Sequence, residues 1–386
     1  MPPMRVAATR PLLSTLCAAL HALSAAAQPL PDAADAAETH ANAAAATIYA
    51  LATVETSFNT GHVVALGPPP SWTPVPTGLT IGGQATVRAD AGWFIVIDAA
   101  NDTLLLLDRA AHLKRSIKFE PASELADVLI LSRRTAIVSR RASAVLELLD
   151  LATGVRTPWL NLAPLDPDDG NPDPAGLIAR DGRLYVQLQR LDAAMPWVSA
   201  DHGALAVIDL ATSTILDADP ITPGLQPIEL AGPHPRLRMA INSAGDRLYV
   251  SSTRDFHLDF SGGLELVDLT TLTSLGFVQS EIDLAAMSAF VLTAEDEGVL
   301  FFHTDIIASS HLVAFDAEGA YGGEIAQELG RYFQTLTHDP HANLVLMPSL
   351  QGVFHIIDAR TLRYIADTPR LTPGTTWDIA VMPPGP

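Results

Sequence analysis

The chain contains a single cysteine, Cys17, and only two lysines, Lys114 and Lys118. One thiol excludes an internal disulfide and any multi-cysteine zinc or iron–sulfur set. There is no Gly-x-Ser-x-Gly elbow, no His-Glu-x-x-His pair and no phosphate-cradling glycine-rich loop, so the commonest hydrolase, zincin and nucleotide signatures are missing. Positive charge is scarce: 23 Lys and Arg stand against 43 Asp and Glu, for a net charge of −20. Such a surface repels phosphate backbones and anionic lipid, so no nucleic-acid partner is expected. Cations and basic protein surfaces are the natural attractants, and solubility alone is the plainer reason for the acidity.

The apolar stretch Leu12–Leu23 is too short to span a bilayer, so no membrane span is expected. Arg5 and Arg10 precede it and Ala25-Ala26-Ala27 follows. Residues 1–27 therefore read as a secretory signal, and the mature chain as exported to the periplasm or beyond. Lipidation at Cys17 is the alternative, although Leu16 is larger than the small residue such sites carry. The leader has two arginines and no acid, so its removal takes the charge from −20 to −22. It would also take the only thiol, leaving the core alone to hold the fold; a chain this long can do that. Residues 28–46 are alanine-rich and read as a flexible linker. Residues 47–386 read as strands and turns, without a long amphipathic helix.

Six times a short apolar strand ends on an aspartate: Asp108, Asp150, Asp209, Asp268, Asp316 and Asp358. The carboxylate at such a place can accept N–H groups of the turn that follows. The intervals are 42, 59, 59, 48 and 42 residues, and the shorter ones suit four strands with tight turns. One interval before Asp108 lies Leu66, at the end of another strand pattern. Thr47–Val54 supplies a second strand there, and Thr376–Val381 a first strand with no other home. The expectation is an all-β, seven-bladed β-propeller with four antiparallel strands per blade. N- and C-terminal strands close the ring in one blade, which leaves no open ring edge.

Asp181-Gly182-Arg183-Leu184-Tyr185-Val186, Gly245-Asp246-Arg247-Leu248-Tyr249-Val250, Val207-Ile208-Asp209-Leu210-Ala211-Thr212 and Ile356-Ile357-Asp358-Ala359-Arg360-Thr361 carry a likeness. On them the chain resembles the bacterial seven-bladed YVTN-repeat family. It departs where that family has Thr-Asn after Tyr-Val, since Gln187-Leu188 and Ser251-Ser252 stand there. The resemblance implies the propeller fold and an extracellular or periplasmic binding or scaffold module.

The two long intervals place insertions between second and third strands, at Arg190–Gly203 and Ser252–Gly262. Propeller geometry puts these on the face that also carries Leu162–Pro174 and Pro220–Pro235. Variable loops gathered on a rigid ring make a recognition surface, although surface insertions also persist simply because they cost little. The candidate contacts are Asp192, Trp197, Asp201, His202, Asp255, His257 and Asp259. The expected partner is an envelope or extracellular protein, a glycan or a small ligand, and a monomer is expected. No cofactor and no catalytic residue is expected on this reading.

The alternative is a metal-dependent, lactonase-like hydrolase at the channel mouth. Glu124, Asp173 and Asp378 fall near the starts of first strands. Together they could hold Ca2+ and polarise a carbonyl, with Arg238 or His257 assisting. Asp166–Asp173 is the densest set of oxygen ligands, and His338-Asp339-Pro340-His341, read as the turn between the first two strands of the sixth blade, is a weaker metal lead.

Overall fold

The computed structural model describes residues 48–55, 59–69, 71–83, 85–166, 168–192, 195–199, 202–252, 261–284, 286–305, 309–329, 335–348, 352–367 and 375–382. They form seven antiparallel blades in succession, each of four strands, with the outer strand of the third in two pieces. The first blade is Thr86–Asp90, Trp93–Asp98, Thr103–Leu107 and Leu113–Lys118. The second is Leu125–Ile130, Thr135–Arg140, Ser143–Asp150 and Arg156–Asn161. The third to sixth follow the same order, inner strand first.

The seventh blade joins the two ends of the described chain. Thr375–Met382 is its inner strand, followed outward by Ile48–Val54, Thr60–Leu66 and Pro74–Gly82. Ala50 pairs with Ala380 and Leu51 with Ile379 in an antiparallel register. The expected closure is therefore present. The fourth strand, Pro74–Gly82, carries little apolar pattern and was not foreseen.

Apolar side chains collect in seven clusters among the described residues, one at each junction between neighbouring blades. The period-two alternation of a strand explains this. In Trp93–Asp98, Phe94 and Val96 pack toward the seventh blade, while Ile95 and Ile97 pack toward the second. A strand buried on both faces reads as a continuous apolar run. Runs such as Leu104–Leu107 are that case.

All six strand-ending aspartates do the local work their position implies. Asp209 accepts N–H bonds from Ala211 and Thr212, Asp268 from Thr270 and Thr271, and Asp358 from Arg360 and Thr361. Asp108, Asp150 and Asp316 accept from Ala110, Ala152 and Glu318 in the same way. Each fixes the hairpin into the outer strand.

The third blade departs from the pattern. Its strands are Pro174–Arg180, Arg183–Leu188, Ala204–Asp209 and an outer strand in two pieces, Thr214–Leu216 and Ile228–Glu229, both paired to Ala204–Asp209. Residues 217–227 leave the sheet between those pieces. The insertion after Leu188 forms its own ribbon, Leu191–Asp192 with Met195–Ser199. The part of 220–235 expected to be a plain link between blades thus includes the end of the outer strand.

Candidate functional site

Three segments around the third blade line an open pocket of about 550 Å³. The first is the link from the second blade. Its entry is fixed by the Leu162 N–H donating to the Ala144 carbonyl, and a single 3-10 turn, Ala163–Leu165, follows. Asp166 then accepts the Asp168 N–H at 2.9 Å and Asp169 accepts the Asn171 N–H at 2.7 Å. Aspartates that cap their own turns in this way shape a loop without help from a core.

The second segment leaves the strand Arg183–Leu188. Gln189 and Arg190 donate N–H bonds to the carbonyls of Asp173 and Pro172, and the Leu191 N–H donates to the Asp173 carboxylate at 2.7 Å. The third segment is the excursion 217–227. Asp217 accepts N–H bonds from Asp219 and Gln226, and Asp219 accepts from Ile221 and the Thr222 hydroxyl. Gly224, at φ +100°, makes the turn that presents Leu225 to the cavity.

Arg190 ties the second segment to the first and to the strand Ile228–Glu229 that follows the third. Its guanidinium donates to Glu229 at 2.8 and 3.0 Å and to the Leu165 carbonyl at 3.1 Å. The two-pronged pairing fixes both direction and distance, as a lysine could not. Arg190 and Asp173 both hold left-handed backbone, at φ 47° and 49°, as does Glu124 at 51°. Side chains larger than glycine adopt that conformation at some energetic cost, so the surrounding bonds must hold it in place.

The electrostatics of the site are lopsided. Asp166, Asp168, Asp169, Asp192 and Glu229 line the cavity against the one cation, Arg190. Behind them Asp173 is buried, and its carboxyl is pushed up to about 6. Burial is the main cause; the Leu191 N–H opposes it, and the charges of Asp169, Asp166 and Glu124 add to it.

A second, smaller cavity of about 190 Å³ lies along the inner strands, with Arg88, Asp127, Gly176 and Met239 in its wall. Asp127 is almost wholly buried. It accepts Arg88 at 2.9 and 2.7 Å, the Val128 N–H at 2.8 Å and the Leu177 N–H at 2.9 Å, so it ties the first, second and third blades together. Asp378 does the same at the closing blade. It accepts the Val87 N–H at 2.8 Å, the Ile379 N–H at 2.9 Å and the Thr335 hydroxyl at 3.1 Å.

The expected metal set therefore divides. Glu124 and Asp173 lie close enough to influence each other, and Glu124 also faces Arg141 at 3.6 Å. Asp378 is engaged at the junction of the seventh and first blades. Among the described residues no group of three or more His, Cys, Asp or Glu side chains is placed to hold a metal ion. His338 lies in the inner strand Thr337–Asp339 rather than in the turn expected for it. Asp339 there accepts the Tyr49 hydroxyl and the N–H groups of His341 and Ala342. That role is structural.

Of the expected contact residues, Asp192 lines the large cavity. Trp197 lies in the strand Met195–Ser199, of which the backbone alone is described. His202 is exposed, with its Nδ1 3.1 Å from the Ala231 carbonyl. Beside it the buried Glu265 accepts the N–H groups of Ala231 and Gly232. Asp201, Asp255, His257 and Asp259 lie outside the described residues. Trp72 packs in the core against Tyr49, ring centroids 5.3 Å apart. Arg190 and Glu229, which organise the cavity, were not among the sequence candidates. Neither carries a motif, and they meet only because the outer strand of the third blade resumes at Ile228.

No protein-family model matches the chain, and no curated protein matches it in sequence. Solved structures do match in shape. A 6-phosphogluconolactonase-like protein from Bacteroides fragilis NCTC 9343 superposes with a TM-score of 0.57 at 11% identity, over 91% of this chain and 99% of that one. A second, from Bacteroides uniformis ATCC 8492, gives 0.56 at 12% identity, over 87% and 99%. Apo AztD from Citrobacter koseri gives 0.50 at 11% identity, over 87% and 98%. At such identities the likeness is one of fold.

Proposed function

We propose that this chain is a non-catalytic binding module that captures a small ligand, a glycan or a protein segment on the loop-rich face of its propeller. One observation carries the reading. The link 162–173, the insertion after Leu188 and the excursion 217–227 line an open pocket of about 550 Å³, within the size range of small-ligand sites. A rigid ring that holds adaptable loops on one face is a common recognition device. The likeness of Asp181–Val186 and Gly245–Val250 to YVTN repeats supports the same reading, and with residues 1–27 as a leader the site would work outside the cytoplasm. No helix among the described residues is long and apolar enough to cross a membrane.

The test is a thermal-shift screen of small molecules and oligosaccharides on the wild-type chain and on Leu225→Trp, which fills the cavity. Ligands that raise the melting temperature of the wild type alone support the proposal. A screen in which every hit survives Leu225→Trp overturns it.

A metal-dependent, lactonase-like activity is the second reading, and the names of two structural neighbours favour it. It would rest on Glu124 and Asp173, with Asp378 having to exchange three protein hydrogen bonds for an ion. Lactone hydrolysis that depends on added Ca2+ and is lost in Glu124→Gln would establish it.

A further inference from the structure

Two large apolar side chains stand in water far more than any other among the described residues. Ile221 is 91% exposed and Ile282 79%, while the next, Val155, is 58% exposed. Ile221 lies in the excursion 217–227, whose end lines the pocket, and Ile282 in the link Glu281–Leu284 between the fourth and fifth blades. Both segments belong to the loop-rich face. Their supports adjoin: Ile228–Glu229, where the excursion rejoins its sheet, packs against Thr273–Ser280, and that strand runs directly into Glu281–Leu284.

Each isoleucine is held in place by its own turn. Asp219 accepts the Ile221 N–H at 3.1 Å and the Thr222 hydroxyl at 2.6 Å, and Pro220 and Pro223 fix the backbone on either side. The buried Glu281 accepts the Gly262 and Met287 N–H groups at 3.0 and 2.9 Å, and the Ile282 N–H donates to the Ser280 hydroxyl at 3.1 Å. An isoleucine left in water adds little to folding, whereas one presented on a fixed turn is spared the ordering cost of binding. A protruding aliphatic group suits a partner large enough to cover it, which a small molecule is not. Residues 217–227 and 281–284 contain Asp217, Asp219, Glu281 and Asp283 and no Lys or Arg. With a net charge of −20, such a surface repels anionic lipid and attracts a protein that sets apolar groups among Lys and Arg. We propose that Ile221 and Ile282 anchor a docking surface for a protein segment whose apolar side chains are flanked by Lys or Arg. Neither anchor is a pocket residue, so this surface adds to the pocket and does not depend on it.

A phage-displayed library of random peptides tests this, selected on the wild-type chain with the double variant Ile221→Ser/Ile282→Ser as counter-target. Both side chains are exposed, so the double variant should melt with the wild type. The enriched peptides should carry Leu, Ile or Phe beside Lys or Arg. Their affinity should fall about tenfold in each single serine variant, the scale of one aliphatic side chain no longer buried. It should fall about two- to fivefold in Asp283→Asn and weaken as salt rises. Val155→Ser, in the hairpin before the outer strand of the second blade and on the opposite face, should leave it unchanged. Failure of any peptide to survive the counter-selection, or enrichment of acidic or wholly polar peptides, would overturn the proposal. So would two other occupants of the surface: a dimer in sedimentation velocity, or cosedimentation with phosphatidylcholine vesicles, that the serine variants abolish. Pocket binding is read separately through Leu225→Trp, so the failure of either proposal leaves the other to its own test.

Discussion

Replacing Asp173 by asparagine should change the sign of its effect on stability with pH. In the folded chain this carboxyl titrates at about 6, chiefly because it is buried. That lies roughly two units above an ordinary aspartate, and each unit is worth about 1.4 kcal/mol. Below about pH 4 the folded and unfolded chains both hold the proton, and Asp173 contributes no pH-dependent term. Between about pH 4 and 6 the unfolded chain loses its proton first, so the folded state becomes progressively less stable. Above about pH 6 the full penalty is present, on the order of 3 kcal/mol.

Asparagine carries no charge and escapes that penalty. It offers one acceptor atom where the carboxylate offers two, and both are used, by the Asn171 side-chain amide at 3.1 Å and the Leu191 N–H at 2.7 Å. One bond is therefore lost, at a cost of about 1–2 kcal/mol. The variant should be less stable than wild type by about that amount near pH 4. It should be more stable by about 1–2 kcal/mol near pH 8, with the two curves crossing between. Urea-unfolding midpoints across that pH range measure it. Asp150, Asp209, Asp268 and Asp358 shift the opposite way, because turn N–H groups hold their carboxyls below the ordinary range. Their stabilisation is complete at neutral pH and is lost as pH falls through the folded values. Being common to both proteins, it cancels in the difference. A difference between variant and wild type that stays constant with pH would refute the reasoning.

Two further substitutions test the ring. Arg88→Ala leaves Asp127, 2% exposed, without its guanidinium partner, and should destabilise by about 3–5 kcal/mol in denaturant titration. Ile379→Ala opens a void where the closing blade meets the sixth. A loss of about 2–5 kcal/mol is expected at that fully buried site, with a sharp, single unfolding transition retained.

The features legible in the sequence are those that strand periodicity and local turn chemistry determine. Asp209 and Asp268 announce their hairpins because a carboxylate and the N–H groups it caps lie within three residues. Thr376–Val381 could be assigned to the first blade-like pattern in the chain because that pattern lacks a first strand of its own. The cavity was legible only as a set of loops on one face. Its organising pair, Arg190 and Glu229, is joined across a strand broken into pieces of three and two residues, Thr214–Leu216 and Ile228–Glu229. Such pieces are too short to show a period. Asp378 shows the same division: its place near a first-strand start is legible, but only the register of the seventh blade reveals that it accepts the Val87 N–H and the Thr335 hydroxyl.

The seam at Ala50 and Ala380 also sets an order of events in the life of the molecule. Ile48–Val54 leaves the ribosome long before Thr375–Met382, the inner strand that completes its sheet. While the six intervening blades are made, Ile48–Val54 waits with one unpaired side, and the contact that ends the wait is of very long range, the slowest kind to find. Completion of the ring is thereby postponed until Thr375–Met382 has been made.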